Sequence, residues 1–180
     1  MINRVLPLAA ALCALAVAHP ASAELAKDAK APAFATQGAE AGKTFAFNLN
    51  QALAKGPVVL YFYPKAFTKG CTLEANAFAE AMDDFHKAGA TVIGMSADDL
   101  DTLKKFSTEE CRDKFPVAIA SPAVIKAYDV GLVMDGKNTG LTKRTSYVIG
   151  QNGKVVLVHS DMDWAHHVSS SLAAVRALKK

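Results

Sequence analysis

Cys71 is the residue whose type and setting could do chemistry in this chain. It comes directly after the segment 64–70, which follows the apolar run 57–63, and directly before a pattern of helical periodicity. Where a buried strand ends and a helix begins, backbone N–H groups point outward and the helix end is partly positive, so an anion is stabilised there. The thiolate is the reactive form of cysteine. The sequence therefore predicts an enzyme that reacts through Cys71.

The ionisation of Cys71 needs more than this position. A thiol with an ordinary pKa of about 8.5 is only a few per cent ionised near neutral pH, and lowering that pKa by about two units takes roughly 2.7 kcal/mol. A helix dipole typically supplies about 0.3–1 kcal/mol, and up to about 2 kcal/mol when partly buried. A cationic partner is therefore required. Thr68 can place a hydroxyl against the sulfur or a bound oxygen, and Pro64, which has no N–H, shapes the approach.

Residues 1–23 have the pattern of a secretory signal peptide. A short positive start that ends at Arg4 is followed by an apolar run over 5–18, which is too short to span a bilayer comfortably. The small-x-small motif Ala21-Ser22-Ala23 then forms a cleavage site. We expect cleavage before Glu24 and a periplasmic or secreted product.

The remaining chain, 24–180, has a length that suits one domain. The whole sequence has 20 Lys and Arg against 17 Asp and Glu, so loss of Arg4 lowers the net charge from +3 to +2. So small a charge, without a basic cluster, argues against nucleic acid or an anionic membrane as the main partner.

Cleavage of the signal peptide changes the number of cysteines in the protein. Cys13 leaves with the signal peptide unless it ends a lipoprotein signal, an alternative that places the bulky Leu12 where a small residue is preferred. Cys71 and Cys111 remain, and in an exported protein they meet oxidising conditions. They form either a structural disulfide or a redox pair.

Hydrophobic periodicity predicts the elements that position Cys71. Residues 24–36 form a lead-in that we expect to be loosely held. We predict strands at 44–49, 57–63, 91–97, 115–119, 145–149 and 154–159, and helices at 72–87, 98–114, 123–128 and 164–178. The resulting order, β-β-α-β-α-β-α-β-β-α, predicts an α/β protein with a thioredoxin-like fold, a central mixed β-sheet flanked by helices.

The segment around Cys71 resembles the active-site segment of the peroxiredoxins. The motif Pro-x-x-x-Thr-x-x-Cys matches at Pro64, Thr68 and Cys71. The likeness is closest to the bacterioferritin comigratory (PrxQ-type) branch, here in an exported form, and it covers roughly residues 30–180. Two further matches support it, namely Arg144 before the strand at 145–149 and the segment from Phe106 to Pro116 that leads to Ser121.

This resemblance implies a role for each matched residue. Cys71 is the peroxidatic cysteine, whose thiolate attacks a peroxide oxygen and becomes a sulfenic acid. Arg144 stabilises the thiolate and the charge that develops on the leaving oxygen. Thr68 hydrogen-bonds the peroxide, Pro64 shapes its approach, and Glu74 matches an acid that orients the arginine.

One position departs from the pattern of the branch. Many relatives carry a second cysteine where this chain has Asn76. A subset resembles the layout found here, with the resolving cysteine in the helix after the next strand, where we expect Cys111. Cys111 then attacks the Cys71 sulfenic acid and closes an intramolecular disulfide. This reaction requires the first turn of the Cys71 helix to unwind.

The same resemblance implies the partners of the reaction. We expect a hydroperoxide as substrate and a thiol reductant, either thioredoxin-like or a periplasmic equivalent. We expect neither a cofactor nor a metal ion, and a monomer or weak dimer.

Several residues have plainer interpretations. Cys71 could be an inert buried thiol, and Cys111 could be a spectator. Arg144 could be a surface salt-bridge residue, and Thr68 a simple helix N-cap. The histidines at 166–167, near two aspartates, could form a weak surface metal site.

Three alternative functions would also involve Cys71, and each needs a feature that the sequence does not provide. A periplasmic thiol–disulfide oxidoreductase would share the fold, but Thr68 stands where the first cysteine of Cys-x-x-Cys belongs. A metal-binding module finds Ala75 where a Cys-x-x-x-Cys site needs its second ligand. A cysteine hydrolase needs a distant histidine as base, and nothing in the sequence picks one out.

Overall fold

The structure is a computed structural model that describes residues 24–179, so the predicted signal peptide at 1–23 lies outside the described residues. None of the helices within residues 24–179 combines the length and the hydropathy that a transmembrane span requires. The elements follow in the order β1 (Ala35–Glu40), β2 (Lys43–Asn48), α1 (Leu49–Leu53), β3 (Val58–Phe62), α2 (Lys69–Lys87), β4 (Thr91–Ser96), α3 (Leu100–Glu109), β5 (Val117–Ile119), α4 (Pro122–Ala127), β6 (Gly131–Met134), β7 (Lys137–Thr142), β8 (Thr145–Ile149), β9 (Val155–Ser160) and α5 (His167–Ala177).

Seven strands form one mixed sheet in the order β2-β1-β5-β4-β3-β8-β9. The central strands β3, β4 and β5 run parallel to one another. Antiparallel strands extend this centre on both sides, and β6 and β7 form a separate two-stranded sheet. This mixed sheet, covered by helices, confirms the predicted thioredoxin-like α/β fold.

Strand β3 shows why helices cover both faces of the sheet. All five of its residues are buried. Val59 and Tyr61 belong to the core formed with α2, α3 and α5, whereas Leu60 and Phe62 belong to the core formed with α1 and α4. Because successive side chains of a strand point to opposite faces, a continuous apolar run is what a strand covered on both sides requires.

The predicted helices are present, but three of their boundaries differ by three residues or more. Helix α2 begins at Lys69, three residues before the predicted start, and α5 begins at His167, three residues after it. Helix α3 ends at Glu109 rather than near residue 114. Arg112 and Asp113 adopt left-handed backbone conformations, with φ of 52° and 57°, and a right-handed helix cannot continue through them.

The expectation that residues 24–36 are loosely held is wrong. The N–H of Ala31 donates to the carbonyl of Gly153 at 2.9 Å. The hydroxyl of Tyr128 donates to the carbonyl of Pro32 at 2.7 Å. These bonds fix the lead-in against the sheet, and its alanine-rich composition gave no sign of them.

Four elements, β1, α1, β6 and β7, were not predicted. Strand β1 contains small and polar residues without alternation, and it pairs closely with β5. A Cβ at Gly38 would lie 2.5 Å from the carbonyl oxygen of Val117. The β6–β7 turn contains Asp135 and Gly136, both with positive φ. Asp-Gly favours this type of hairpin turn, so the sequence did hold a signal for it.

Candidate functional site

Cys71 lies inside the first turn of α2, as the third residue of the helix, and not just before it. Its side chain is only 1% exposed. The first N–H groups of a helix have no partner within the helix, so the sulfur lies at its positive end. The absence of a side chain at Gly70 leaves room for Arg144 close to the helix, since a Cβ at Gly70 would lie 3.1 Å from Arg144 Nη2.

Arg144 brings a positive charge to the sulfur. It directly precedes β8, and its Nη2 donates to Cys71 Sγ at 3.5 Å. The residue is only 4% exposed, so the interpretation of Arg144 as a surface salt-bridge residue is wrong. An opposite charge at this distance favours the ionised form of a thiol, and it acts more strongly in a buried site than in water.

Two acceptors hold the guanidinium of Arg144 in this position. Glu74 is fully buried, and its Oε2 accepts from Arg144 Nη1. The backbone carbonyl of Met162 accepts from Arg144 Nε at 3.0 Å. Glu74 lies three residues after Cys71 on α2, so the helix presents the thiol and the carboxylate on one face. The structure therefore brings Cys71, Glu74 and Arg144 together.

Burial changes the pKa values of both members of the ion pair. It raises the pKa of Glu74, and the guanidinium of Arg144 opposes that change by its charge and its hydrogen bond. Burial alone would lower the pKa of Arg144, but the Glu74 carboxylate and the Cys71 sulfur raise it. Arg144 therefore keeps its charge in the buried site, and Glu74 depends on Arg144 for its own ionisation.

Thr68 and Pro64 lie in the loop that joins β3 to α2. Thr68 is exposed at the N-cap position of α2, and its side chain makes no capping hydrogen bond. Its Oγ1 donates to the carbonyl of Lys65 at 2.9 Å, which leaves the lone pairs of the oxygen to accept another bond. Pro64 is half-buried between β3 and this loop. The loop thus carries two less buried residues directly before Cys71, while Arg144 and Glu74 are buried.

Cys111 is buried in the turn after α3, and not in the helix as the sequence predicted. Both thiols are free. Burial, together with the charges of Glu110 and Asp113, raises the pKa of Cys111 well above its usual value. Cys111 is therefore a protonated thiol at neutral pH in this conformation.

The two thiols face the same pair of buried tyrosines. Tyr61 and Tyr63 have fully buried side chains, and their pKa values are raised first by burial, then by Cys111, and least by Cys71. All four residues belong to one core. Cys71 and Cys111 are thus on the same side of the sheet, in the layer between the sheet and α2.

Two contacts tie the turn that carries Cys111 to the helix that carries Cys71. Asn76 Nδ2 donates to Glu110 Oε2 at 3.0 Å, and Arg112 Nη1 donates to Glu80 Oε1 at 3.3 Å. Glu110 and Arg112 flank Cys111 in the chain. Asn76, which stands where many members of the branch have a cysteine, therefore holds the Cys111 turn against α2.

The sequence interpretation missed His167 as part of this cluster. We expected His167 at most in a surface metal site, but it is fully buried, and its Nδ1 lies 3.7 Å from Glu74 Oε1. Within residues 24–179, no three His, Cys, Asp or Glu side chains form a group that could hold a metal ion. A single histidine on a predicted helix carries no signal that distinguishes the two environments. The role of the Met162 carbonyl could not be predicted either, because every residue has a backbone carbonyl.

Comparison with known proteins identifies the family to which the chain is similar. The model of the AhpC/TSA family matches residues 28–158. Peroxiredoxin Bcp of Xanthomonas campestris pv. campestris is 33% identical over 126 residues, which cover 68% of this chain and 78% of that protein. The chloroplastic peroxiredoxin Q of Sedum lineare is 35% identical over 127 residues, which cover 68% of this chain and 65% of the plant protein. The chain thus spans just under two thirds of that plant relative.

A solved structure is similar over nearly its whole length. The crystal structure of peroxidoxin BcpB from Mycobacterium tuberculosis superposes with a TM-score of 0.75 at 31% identity. The superposition covers 86% of this chain and 98% of the mycobacterial chain. The residues that the family model matches, 28–158, include Cys71 on α2 and Arg144 before β8.

We predict that Asn76→Ala exposes Cys111 more often. A hydrogen bond of this kind is worth about 1 kcal/mol, so its loss should raise the alkylation rate of Cys111 about fivefold, when alkylation follows opening of the turn. The rate is measured in a Cys71→Ser background, where Cys111 is the remaining thiol of residues 24–179. Glu80→Gln is the matched control, because the exposed ion pair that it breaks contributes less. Equal alkylation rates in Asn76→Ala and its parent would contradict the prediction.

Proposed function

Because the chain belongs to the AhpC/TSA family, we propose that it is a thiol-dependent peroxidase that reduces hydroperoxides through Cys71. The observation that carries this proposal is the contact of 3.5 Å between Arg144 Nη2 and Cys71 Sγ at the start of α2. The contact is buried, and Glu74 holds the guanidinium from its other side. A thiol in this environment has the cationic partner that the ionisation argument requires.

The first step is the attack of the Cys71 thiolate on one oxygen of the hydroperoxide. A bond forms between sulfur and that oxygen, the O–O bond breaks, and Cys71 becomes a sulfenic acid. The other oxygen leaves with the electron pair and takes a proton to form an alcohol, or water when the substrate is hydrogen peroxide. Arg144 faces the sulfur, so it can stabilise the thiolate before the reaction and the negative charge on the leaving oxygen during it.

Thr68 orients the substrate in this proposal. Its hydroxyl hydrogen is engaged by the Lys65 carbonyl at 2.9 Å, so Oγ1 offers a lone pair to the O–H of the peroxide. Pro64 sets the direction of the loop that carries Thr68, because its ring fixes φ. The backbone N–H of Cys71, at the open end of α2, donates to the same substrate.

Cys111 resolves the sulfenic acid in the second step. Its sulfur attacks Cys71, water leaves, and an intramolecular disulfide forms. An external thiol reductant then supplies two electrons and returns both thiols. Both cysteines are buried, and hydrogen bonds tie the turn of Cys111 to α2, so in this proposal the first turn of α2 and the turn at 110–112 open for the disulfide to form. Cys111 also has to lose its proton, which burial opposes until the turn opens.

We propose that this chemistry takes place outside the cytoplasm. The support is the sequence pattern of residues 1–23, with the small-x-small site before Glu24. The reductant is then an exported thiol protein of the thioredoxin-like type. Intact mass analysis of the protein recovered from its producing cells should give a chain that begins at Glu24. A chain that retains Met1 would contradict export by this signal.

The roles of the two cysteines are separable by substitution. We expect Cys71→Ser to abolish peroxide consumption, because a serine hydroxyl does not supply the thiolate. We expect Cys111→Ser to keep the first turnover and to accumulate Cys71 sulfenic acid, because no thiol remains to close the disulfide. Circular dichroism shows whether both variants retain the fold, and a reagent specific for sulfenic acid measures the intermediate after one equivalent of hydrogen peroxide.

Two outcomes would count against this assignment. Peroxide consumption by Cys71→Ser at the rate of the parent would exclude Cys71 as the reacting thiol. A sulfenic acid signal in Cys111→Ser no larger than in the parent would exclude Cys111 as the resolving residue. In that case an external thiol reduces the Cys71 sulfenic acid directly.

A further inference from the structure

His167 lies next to both groups that hold the Arg144 guanidinium, the Glu74 carboxylate and the loop that contains Met162. Its side chain is fully buried at the start of α5. Burial lowers the pKa of His167 to about 4, so the ring is neutral at neutral pH. The ring also packs against His159 at a centroid distance of 4.5 Å. A buried polar ring of this kind needs partners for both of its nitrogens, and the structure supplies them.

The Nε2 atom of His167 fixes the loop that holds Arg144 Nε. It lies 2.9 Å from the carbonyl oxygen of Asp161. A carbonyl only accepts, so Nε2 carries the hydrogen and donates. Asp161 is followed directly by Met162, whose carbonyl accepts from Arg144 Nε at 3.0 Å. One donor on the buried ring therefore anchors the peptide next to the acceptor that orients the guanidinium.

The rest of this loop has little else to fix it. Residues 161–163, 165 and 166 are exposed. The N–H groups of Asp163 and Ala165 bond to the side chains of Asp161 and Asp163, respectively, at 2.9 and 3.1 Å. These two bonds are internal to the loop and do not connect it to the sheet or to α2. The N–H of His167 also donates to the carbonyl of Trp164 at 3.3 Å, so both the ring and the backbone of His167 hold this loop.

The Nδ1 atom of His167 faces the other acceptor of the guanidinium. It accepts from the hydroxyl of Ser146 on β8 at 2.8 Å, which keeps the ring in one orientation. The same atom lies 3.7 Å from Glu74 Oε1. Glu74 Oε1 is buried and makes no hydrogen bond within the described residues. The ring edge therefore closes the space into which the Glu74 carboxylate could rotate away from Arg144.

We propose that His167 is the positioning residue for Arg144, because one buried imidazole anchors the Asp161–Met162 peptide on one side and confines the Glu74 carboxylate on the other. Its effect reaches Cys71 only through the guanidinium, so this inference rests on the proposed role of Arg144 in the reaction. The hydrogen-bond donor at Nε2 is the part of the ring that matters most. A side chain that keeps that donor should keep the reactivity of Cys71.

The matched pair His167→Gln and His167→Met tests this proposal. The two replacements are similar in length, and only glutamine can donate to the Asp161 carbonyl. We expect His167→Met to move the pH midpoint of Cys71 thiolate formation upward by about one unit, which lowers the reaction rate with hydrogen peroxide about tenfold below that midpoint. We expect His167→Gln to stay close to the parent in both measurements. The midpoint is read from the pH profile of Cys71 alkylation in a Cys111→Ser background.

The fluorescence of Trp164 reports independently on how exposed the loop is to solvent. It is the one tryptophan of the sequence, and it lies inside the loop that His167 anchors. We expect acrylamide to quench its fluorescence more strongly in His167→Met than in the parent, and not in His167→Gln. His166→Met is the control for a histidine replaced at an exposed neighbouring position, and it should change none of these quantities.

The outcomes separate this inference from the proposed function. If His167→Met folds and matches the parent in midpoint, rate and quenching, His167 does not position Arg144. If His167→Gln loses as much as His167→Met, the Nε2 donor is not the cause. His167→Leu replaces the methionine variant should that one fail to fold, with the same expectation. A parent protein that does not react with peroxide overturns the proposed function itself, together with the role of His167 in it.

Discussion

The contact between the Arg144 guanidinium and the Cys71 sulfur is the interaction on which the rest of the site depends. A guanidinium is costly to bury, and it remains charged here because Glu74, Cys71 and the Met162 carbonyl all accept from it. Removing one partner of a buried pair leaves the other uncompensated, at a cost of several kcal/mol. The arginine and its acceptors therefore stabilise one another, and the sulfur is one of the acceptors that keep the arginine in place.

The fold supplies the precision of this contact. Helix α2 carries Cys71 and Glu74 one turn apart, and it packs on the sheet through Phe78, whose ring stacks on Tyr61 at 4.2 Å. Arg144 reaches the site because β8 pairs antiparallel with β3, the strand that ends just before the Pro64 loop. The antiparallel pairing of β3 with β8 thus sets the distance between the helix that holds the thiol and the strand that brings the cation.

Much of this arrangement could be predicted from the sequence, for specific reasons. The continuous apolar run of β3 and the helical spacing of α2 are strong periodic signals, and they placed Cys71 where a strand ends and a helix begins. The need for a cation followed from the energy of ionising a thiol, and Arg144 was found through a motif. The turn at Cys111 was missed because the left-handed backbone of Arg112 and Asp113 has no strong sequence signal.

The residues that support Arg144 could not be predicted, because their roles depend on contacts between distant segments. The Met162 carbonyl and the His167 ring reach the site through the end of β9 and the start of α5. Asn76 was noted as a missing cysteine, yet its bond to Glu110 exists only because α3 ends close to α2. Pairing of this kind is a property of the assembled core, and periodicity and local motifs do not encode it.

The same geometry explains why two buried thiols can serve one reaction. Cys71 Sγ accepts from Arg144 Nη2, whereas burial raises the pKa of Cys111 well above its usual value, so the two thiols lie in different electrostatic environments. The most direct measurement is the pH midpoint of Cys71 thiolate formation in Cys111→Ser, with and without Arg144→Gln. We predict that Arg144→Gln raises this midpoint by about two units, a change of roughly 2.7 kcal/mol. A midpoint near that of an ordinary thiol, unchanged by Arg144→Gln, would contradict it.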